Sequence, residues 1–240
     1  MKILGLLGGV ASGKSLVAQQ LADLGAVVLD ADRAGHEALR LPATEEAARR
    51  RWGAAVFGRD GHIDRGRLAR IVFAPPPNGL CERKFLEELT HPEIGRRLLA
   101  QVEALNRALV VPPLGGIPPE SGITSGIPPK GGTTGSIPPK GGTTSAPKAA
   151  SPLAVLDAAL IFEAGWNKLC DCFVFIDVPR EVRLARALER GWTEGDFAAR
   201  EAAQESLDSK RARADVIIDN SGSAAHTQGQ VERLWQFLVG

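Results

Sequence analysis

The apolar positions of this chain fall into two periods. Unalternating runs rich in Val, Ile and Leu occur at Ile3–Leu7, Ala26–Leu29, Leu153–Phe162, Phe173–Val178 and Val216–Ile218. Runs of that kind suit strands of a parallel sheet covered on both faces. Between them the period changes to that of a helix. Val17, Leu21 and Leu24 predict a helix over Ser12–Leu24, stopped by Gly25. Glu45–Trp52, Arg65–Phe73, Arg83–Thr90 and Glu93–Leu109 predict successive helices with no strand between them. The last carries Ile94, Leu98, Val102, Leu105 and Leu109 on one face, and Pro92 is expected to separate it from the one before. Arg180–Arg190 predicts a further helix. The next is capped by Thr193 with Asp196 in the capping-box position, and Val231–Leu238 closes the chain as a helix. Strands alternating with helices make this an α/β chain.

One stretch fits neither period. Pro112–Pro152 contains GIPPESGIT, GIPPKGGTT and SIPPKGGTT, starting at Gly116, Gly126 and Ser136. Isolated isoleucines are its only core-forming residues, too few to offset the entropy of ordering, so it is expected to be a disordered insertion. The expected organisation is one domain over 1–240, with a helical excursion over 35–111 and the Pro/Gly-rich insertion over 112–152.

Composition removes several function classes. The 240 residues carry a net charge of +1, so bulk charge gives no reason to expect nucleic acid or an anionic membrane as partner. No apolar run approaches the ~20 residues that span a bilayer, and the N-terminus enters a strand without signal-peptide anatomy. Three cysteines are too few and too odd for a disulfide framework, which points to a reducing, cytoplasmic setting. Cys170-Asp171-Cys172 lacks the second ligand pair of a metal site and reads as small thiols beside a strand.

The chemistry is concentrated at the chain's start. Gly8, Gly9, Val10, Ala11, Ser12, Gly13, Lys14 and Ser15 spell G-x-x-x-x-G-K-S between a strand and a helix signal. Main-chain amides of such a loop point at phosphate oxygens, Lys14 reaches the outer phosphates, and the Ser15 hydroxyl is placed for Mg²⁺. Ala26–Leu29 then delivers Asp30-Ala31-Asp32 at its carboxyl end, where ligands sit in a parallel sheet. Two readings stand: Asp32 is an acceptor's general base while Asp30 caps a helix, or both are helix-start carboxylates. Asp157 is either a Mg²⁺-side carboxylate or a strand-end turn residue. Arg183, Arg186 and Arg190 share a helix face, as a phosphoryl-transfer lid over 180–204 needs or as a solvated basic face allows. Arg65, Arg67, Arg70, Lys84 and His91 are candidate phosphate contacts with the same alternative. Asn220, in a turn after the last strand, is placed to meet an adenine edge.

With those residues in view, the chain resembles the dephospho-CoA kinase family. The matching pieces are GLLGGVASGKS, VVLDADR, the R-x-x-L-x-x-I-V-F stretch from Arg65, FLEELTHPEI, LIFEAG, FVFIDVP, RALER and KRARADVIIDNSG, in the family's order. The resemblance implies a P-loop kinase fold: a five-stranded parallel sheet flanked by helices, a helical acceptor domain and a lid. It implies ATP and Mg²⁺ bound by the P-loop from Gly8 through Ser15 and Leu16, and 3′-dephospho-CoA as the acceptor. Carried onto this sequence, Asp32 is the acceptor-side base, Arg186 and Arg190 are lid arginines, Asn220 lies in the adenine loop, and Arg65 and His91 match acceptor-domain positions. Ala11 stands where the family's loop has glycine, which is compatible with a negative φ there. Two other readings share the motif: another small-molecule or nucleotide kinase, and a nucleotide-dependent switch. A guanine-nucleotide switch would want N-K-x-D, whereas Asn167-Lys168-Leu169-Cys170 is followed by its aspartate one place late.

Overall fold

The computed structural model describes residues 1–75, 77–110 and 153–239; the insertion expected over 112–152 lies outside them. Five parallel strands form one sheet: β1 (Lys2–Gly8), β2 (Val27–Asp30), β3 (Leu153–Asp157), β4 (Cys172–Asp177) and β5 (Val216–Asp219), in the order β2-β3-β1-β4-β5. The parallel five-stranded sheet implied by the resemblance is therefore present. Successive residues of β1 face opposite sides. Leu4 and Leu6 pack with Val17 and Leu21 of α1 (Lys14–Leu24) and with the last helix. Ile3 and Leu7 pack on the other side, with Leu29, Leu156 and the long helix described below.

After β2 the chain makes its helical excursion through α2 (Ala31–Leu39), α3 (Pro42–Trp52), a 3₁₀ turn, α4 (Arg65–Val72) and α5 (Asn78–Val110). Pro92 does not divide two helices; it sits inside one helix of 33 residues. A proline in a helix interior costs about 3 kcal/mol. Ile94 and Leu98 on the following turns are buried against Ala34, Ala38 and Trp166, each contributing roughly 1.5–3 kcal/mol. The packing outweighs the local penalty. The apolar run from Leu153 is likewise split: its strand ends at Asp157, and the chain then turns, burying Ile161.

After β4 come α6 (Arg180–Glu189), α7 (Glu194–Ala202) and α8 (Leu207–Ala212), and after β5 the terminal helix α9 (Ala224–Val239). Thr193 caps α7 in the expected capping box with Asp196. Among the described residues no helix is long and apolar enough to cross a membrane.

Parallel pairing sets the site. Leu6 of β1 and Asp30 of β2 both pair with Asp157 of β3, so the carboxyl ends of three neighbouring strands lie level. The P-loop, the Asp30-Ala31-Asp32 turn and Asp157 share one edge.

Candidate active site

The turn between β1 and α1 is built for an anion. The main-chain amides of Gly13, Lys14 and Ser15 have no acceptor among the described residues, and neither does the buried Ser12 hydroxyl. Gly13 takes φ 91°, and a Cβ there would stand 2.2 Å from the Asn220 amide nitrogen. A Cβ at Gly9 would lie 2.6 Å from Nη1 of Arg183, so a side chain there would displace that guanidinium. Ala11 overturns the expectation of a negative φ. It is the one non-glycine with positive φ among the described residues, at 59°. Its left-handed turn is held from outside, because Val10 is buried with Ala187 and Phe197 and Ala11 packs against the same cluster. Leu16, in the first turn of α1, is exposed.

The Lys14 ammonium donates to the carbonyls of Gly8 at 3.2 Å and Gly9 at 3.1 Å. Burial pulls its pKa down to about 8. Asp157 and Asp32 act against that shift, while Lys210 and Arg183 add to it. Asp157 carries the opposite perturbation: burial pushes its carboxyl up, while a hydrogen bond with Ser15 and the charge of Lys14 hold it back. Lys14, Ser15, Asp157 and Asp32 thus form one electrostatic cluster.

The two aspartates after β2 have different surroundings. Asp30 is the N-cap of α2, its carboxylate accepting from the Arg33 amide at 2.8 Å. Asp32 lies in the first turn of that helix, exposed, and near enough to Lys14 and Asp157 to act on both. His36 stands one turn further on. Its pKa is lowered, first by burial and then by Arg65. Arg65 itself is exposed at the start of α4. His91, on α5, tilts against Trp166 with 5.4 Å between ring centroids, and burial lowers its pKa despite Glu87 and Glu163.

The three arginines of α6 take different tasks. Arg183 is buried, at 3% exposure; it pairs with Glu201 of α7 at 2.8 Å and donates to the carbonyls of Val178 and, at 3.5 Å, of Val10. Arg186 donates to the Asn220 carbonyl at 2.8 Å, which brings it beside the P-loop. Arg190 ends α6, exposed. The Asn220 side chain is 2% exposed and turned into the protein. Its amide donates to the Ser12 carbonyl at 2.7 Å, and its oxygen accepts from the Thr227 hydroxyl at 2.7 Å. It braces the phosphate loop, with both polar atoms of its side chain already bonded within the protein.

A strand–P-loop–helix unit on a parallel sheet, with a carboxylate beside the P-loop lysine, serves phosphotransferases and nucleotide switches alike; comparison with known proteins decides between them. The family model for dephospho-CoA kinase matches residues 2–115 and 143–226. The chain belongs to the dephospho-CoA kinase family. The match leaves out 116–142, which takes in most of the Pro/Gly repeats. The dephospho-CoA kinase of Symbiobacterium thermophilum is 35% identical over 243 aligned positions, covering 100% of this chain and 82% of that protein. That of Bacillus licheniformis is 32% identical, covering 97% and 94%. Among solved structures, TT1252 from Thermus thermophilus superposes with a TM-score of 0.66 at 30% identity, covering 100% and 98%. The dephospho-CoA kinase from Campylobacter jejuni, at 23% identity and a TM-score of 0.60 over 99% and 98%, shares the fold.

Three side chains of this dephospho-CoA kinase family member stand out only in the structure. Lys210 is 2% exposed and paired with Glu163 at 3.4 Å. In the sequence KRAR nothing separates it from its exposed neighbours. Arg183 shares its helical face with Arg186, and only burial shows that it braces the loop from behind. Arg200 of α7 lies over the rings of Trp192, at 4.3 Å, and Phe73, at 4.6 Å. Phe73 belongs to the helical excursion, 127 positions earlier, so no local pattern announces the contact.

Proposed function

We propose that the chain transfers the γ-phosphoryl group of ATP to the ribose 3′-hydroxyl of 3′-dephospho-CoA, giving coenzyme A and ADP, the last step of coenzyme A synthesis. The observation that carries this reading is the position of Asp32. It sits at the carboxyl edge of the sheet, beside the P-loop, in electrostatic reach of Lys14 and Asp157.

In this reading the free amides of Gly13, Lys14 and Ser15 grip the triphosphate, and Lys14 exchanges its two carbonyl partners for phosphate oxygens. Asp32 accepts the proton of the 3′-hydroxyl. The freed oxygen forms a bond to the γ-phosphorus as the bond to the β-phosphate oxygen breaks, and ADP leaves. Arg186 and Arg190, on α6, supply cationic contacts to the transferring group, and His91 and Arg65 serve the acceptor side. Among the described residues no group of three or more His, Cys, Asp or Glu side chains forms a metal site. Ser15 with Asp157 offers two hard oxygen donors, which fits a Mg²⁺ that takes its remaining ligands from substrate phosphates and water. When bound, that ion would neutralise phosphate charge. With the cysteine usage and composition noted above, we place the reaction in the cytoplasm.

The test is incubation with ATP, Mg²⁺ and dephospho-CoA, with mass detection of coenzyme A. ADP release across a panel of nucleosides and nucleotides separates this acceptor from that of another small-molecule kinase. Coenzyme A formed in preference to every other product supports the proposal; release of ADP only with a different acceptor refutes it.

A further inference from the structure

The reaction proposed above uses two arginines of α6 and leaves α7 without a task. Between these two helices lies a buried ion pair that reaches the phosphate loop. Nη1 of Arg183 pairs with one oxygen of Glu201 at 2.8 Å and donates to the Val10 carbonyl at 3.5 Å. The other oxygen of Glu201 takes Arg180 at 3.0 Å, on the half-exposed side of the helix pair. Both guanidiniums lie over the ring of Phe197, at 5.3 Å for Arg180 and 5.6 Å for Arg183, and Phe197 itself packs on Val10. Gly9, with no side chain, lets the Arg183 guanidinium lie against the loop. The first half of the phosphate loop is therefore seated on α6 and α7 together.

A trans peptide is planar, with its C=O and N–H pointing opposite ways. A carbonyl held on one side thus aims the following amide to the other. The loop is held in this way at two places. Asn220 takes the Ser12 carbonyl, opposite the free amide of Gly13. Arg183 takes the Val10 carbonyl, opposite the amide of Ala11, which also has no acceptor among the described residues. An unpaired guanidinium is costly in so buried a place. Glu201 is its counter-charge, supplied from a separate helix.

We propose that Glu201 is a positioning residue for the phosphate loop: through Arg183 it fixes the Val10 carbonyl and so aims the Ala11 amide at the phosphates of the donor nucleotide. The proposal deepens the function given above and rests on its donor half, the grip of the loop on a triphosphate. Glu201 touches no substrate in this arrangement. Its effect passes through Arg183, and removing either member undoes the same aim.

The test compares stability with donor affinity in the full chain and in Glu201→Gln, Arg183→Met and the double variant. Thermal unfolding gives the first, and calorimetry with a non-hydrolysable ATP analogue gives the second. Glu201→Gln strands a buried guanidinium and should unfold at the lowest temperature; Arg183→Met removes that guanidinium, so the double variant should recover stability. Affinity should not recover with it: all three variants are expected to bind the ATP analogue about five- to tenfold more weakly, the two changes together costing no more than either alone. Affinity that follows stability, and returns in the double variant, would overturn the proposal by making the pair structural only. Unchanged affinity in all three would overturn it as well. So would tighter binding by Glu201→Gln, because Arg183 would then be acting by its charge on the triphosphate and not through the loop. Should Glu201→Gln fold poorly, Glu201→Asp keeps the charge and shortens the reach; weaker binding of the ATP analogue supports the proposal and parental binding refutes it. The readout involves the donor alone, so failure to make coenzyme A from dephospho-CoA would refute the acceptor and not this arrangement.

Discussion

The side-chain amide of Asn220 donates to the carbonyl of Ser12 at 2.7 Å, joining the end of β5 to the middle of the phosphate loop across 208 positions of sequence. The same side chain accepts from Thr227 on α9, so the loop is anchored to the helix that packs with α1 on one face of the sheet.

Asn220→Ala leaves the Ser12 carbonyl without its buried donor. The expected cost is about 1–3 kcal/mol of stability, accompanied by several-fold weaker ATP binding, because a loosened loop must be ordered by its ligand. Denaturant unfolding and ATP titration of the variant check both. Stability lost with ATP affinity intact would mean that Asn220 supports the fold and not the loop.

Ala11 at φ 59° makes a prediction by substitution. A β-branched side chain tolerates the left-handed region worse than alanine, so Ala11→Val should lose about 1–3 kcal/mol. Ala11→Gly should stay within about 1 kcal/mol of the parent, since relief of left-handed strain offsets glycine's greater unfolded-state freedom. Equal unfolding midpoints for the valine and glycine variants would show that the residue does not hold a positive φ in solution.

The elements set by local chemistry were legible in the sequence. The G-x-x-x-x-G-K-S turn, the Thr193–Asp196 capping box and the apolar strand runs depend on neighbours within a few positions, and each is found where its pattern put it, save that the run from Leu153 leaves the sheet after Asp157. The misreadings depend on distant partners. Pro92 is carried through α5 by the burial of Ile94 and Leu98 against α2 and Trp166. The positive φ of Ala11 goes with a loop packed on Ala187 and Phe197, and Asn220 turns inward because Ser12 and Thr227 flank it. Asp30 and Asp32 were ambiguous because spacing offers both as caps; the bond from the Arg33 amide to the Asp30 carboxylate shows which one is committed, leaving Asp32 in reach of Lys14 and Asp157.

Lys14 gives the account a pH signature. Its folded pKa of about 8 lies below the ordinary 10.5, so between those values the unfolded chain binds more protons than the folded one. Stability should therefore rise with pH across that window, and Lys14→Met should remove the rise. Phosphate favours the charged ammonium, so ATP binding above pH 8 should take up a proton and weaken as pH increases. Calorimetry in buffers of different ionisation enthalpy measures the uptake. Pure release of protons on ATP binding at pH 9 would contradict this environment for Lys14.

The central claim is that Asp32 takes the proton of the acceptor hydroxyl beside a P-loop-bound ATP. Its most direct test is the rate of coenzyme A formation by Asp32→Asn, measured with ATP affinity on the same preparation. The account predicts a fall in kcat of about 10²–10⁴-fold with the ATP Kd within a few-fold of the parent. An Asp32→Asn enzyme that forms coenzyme A at the full rate would contradict it.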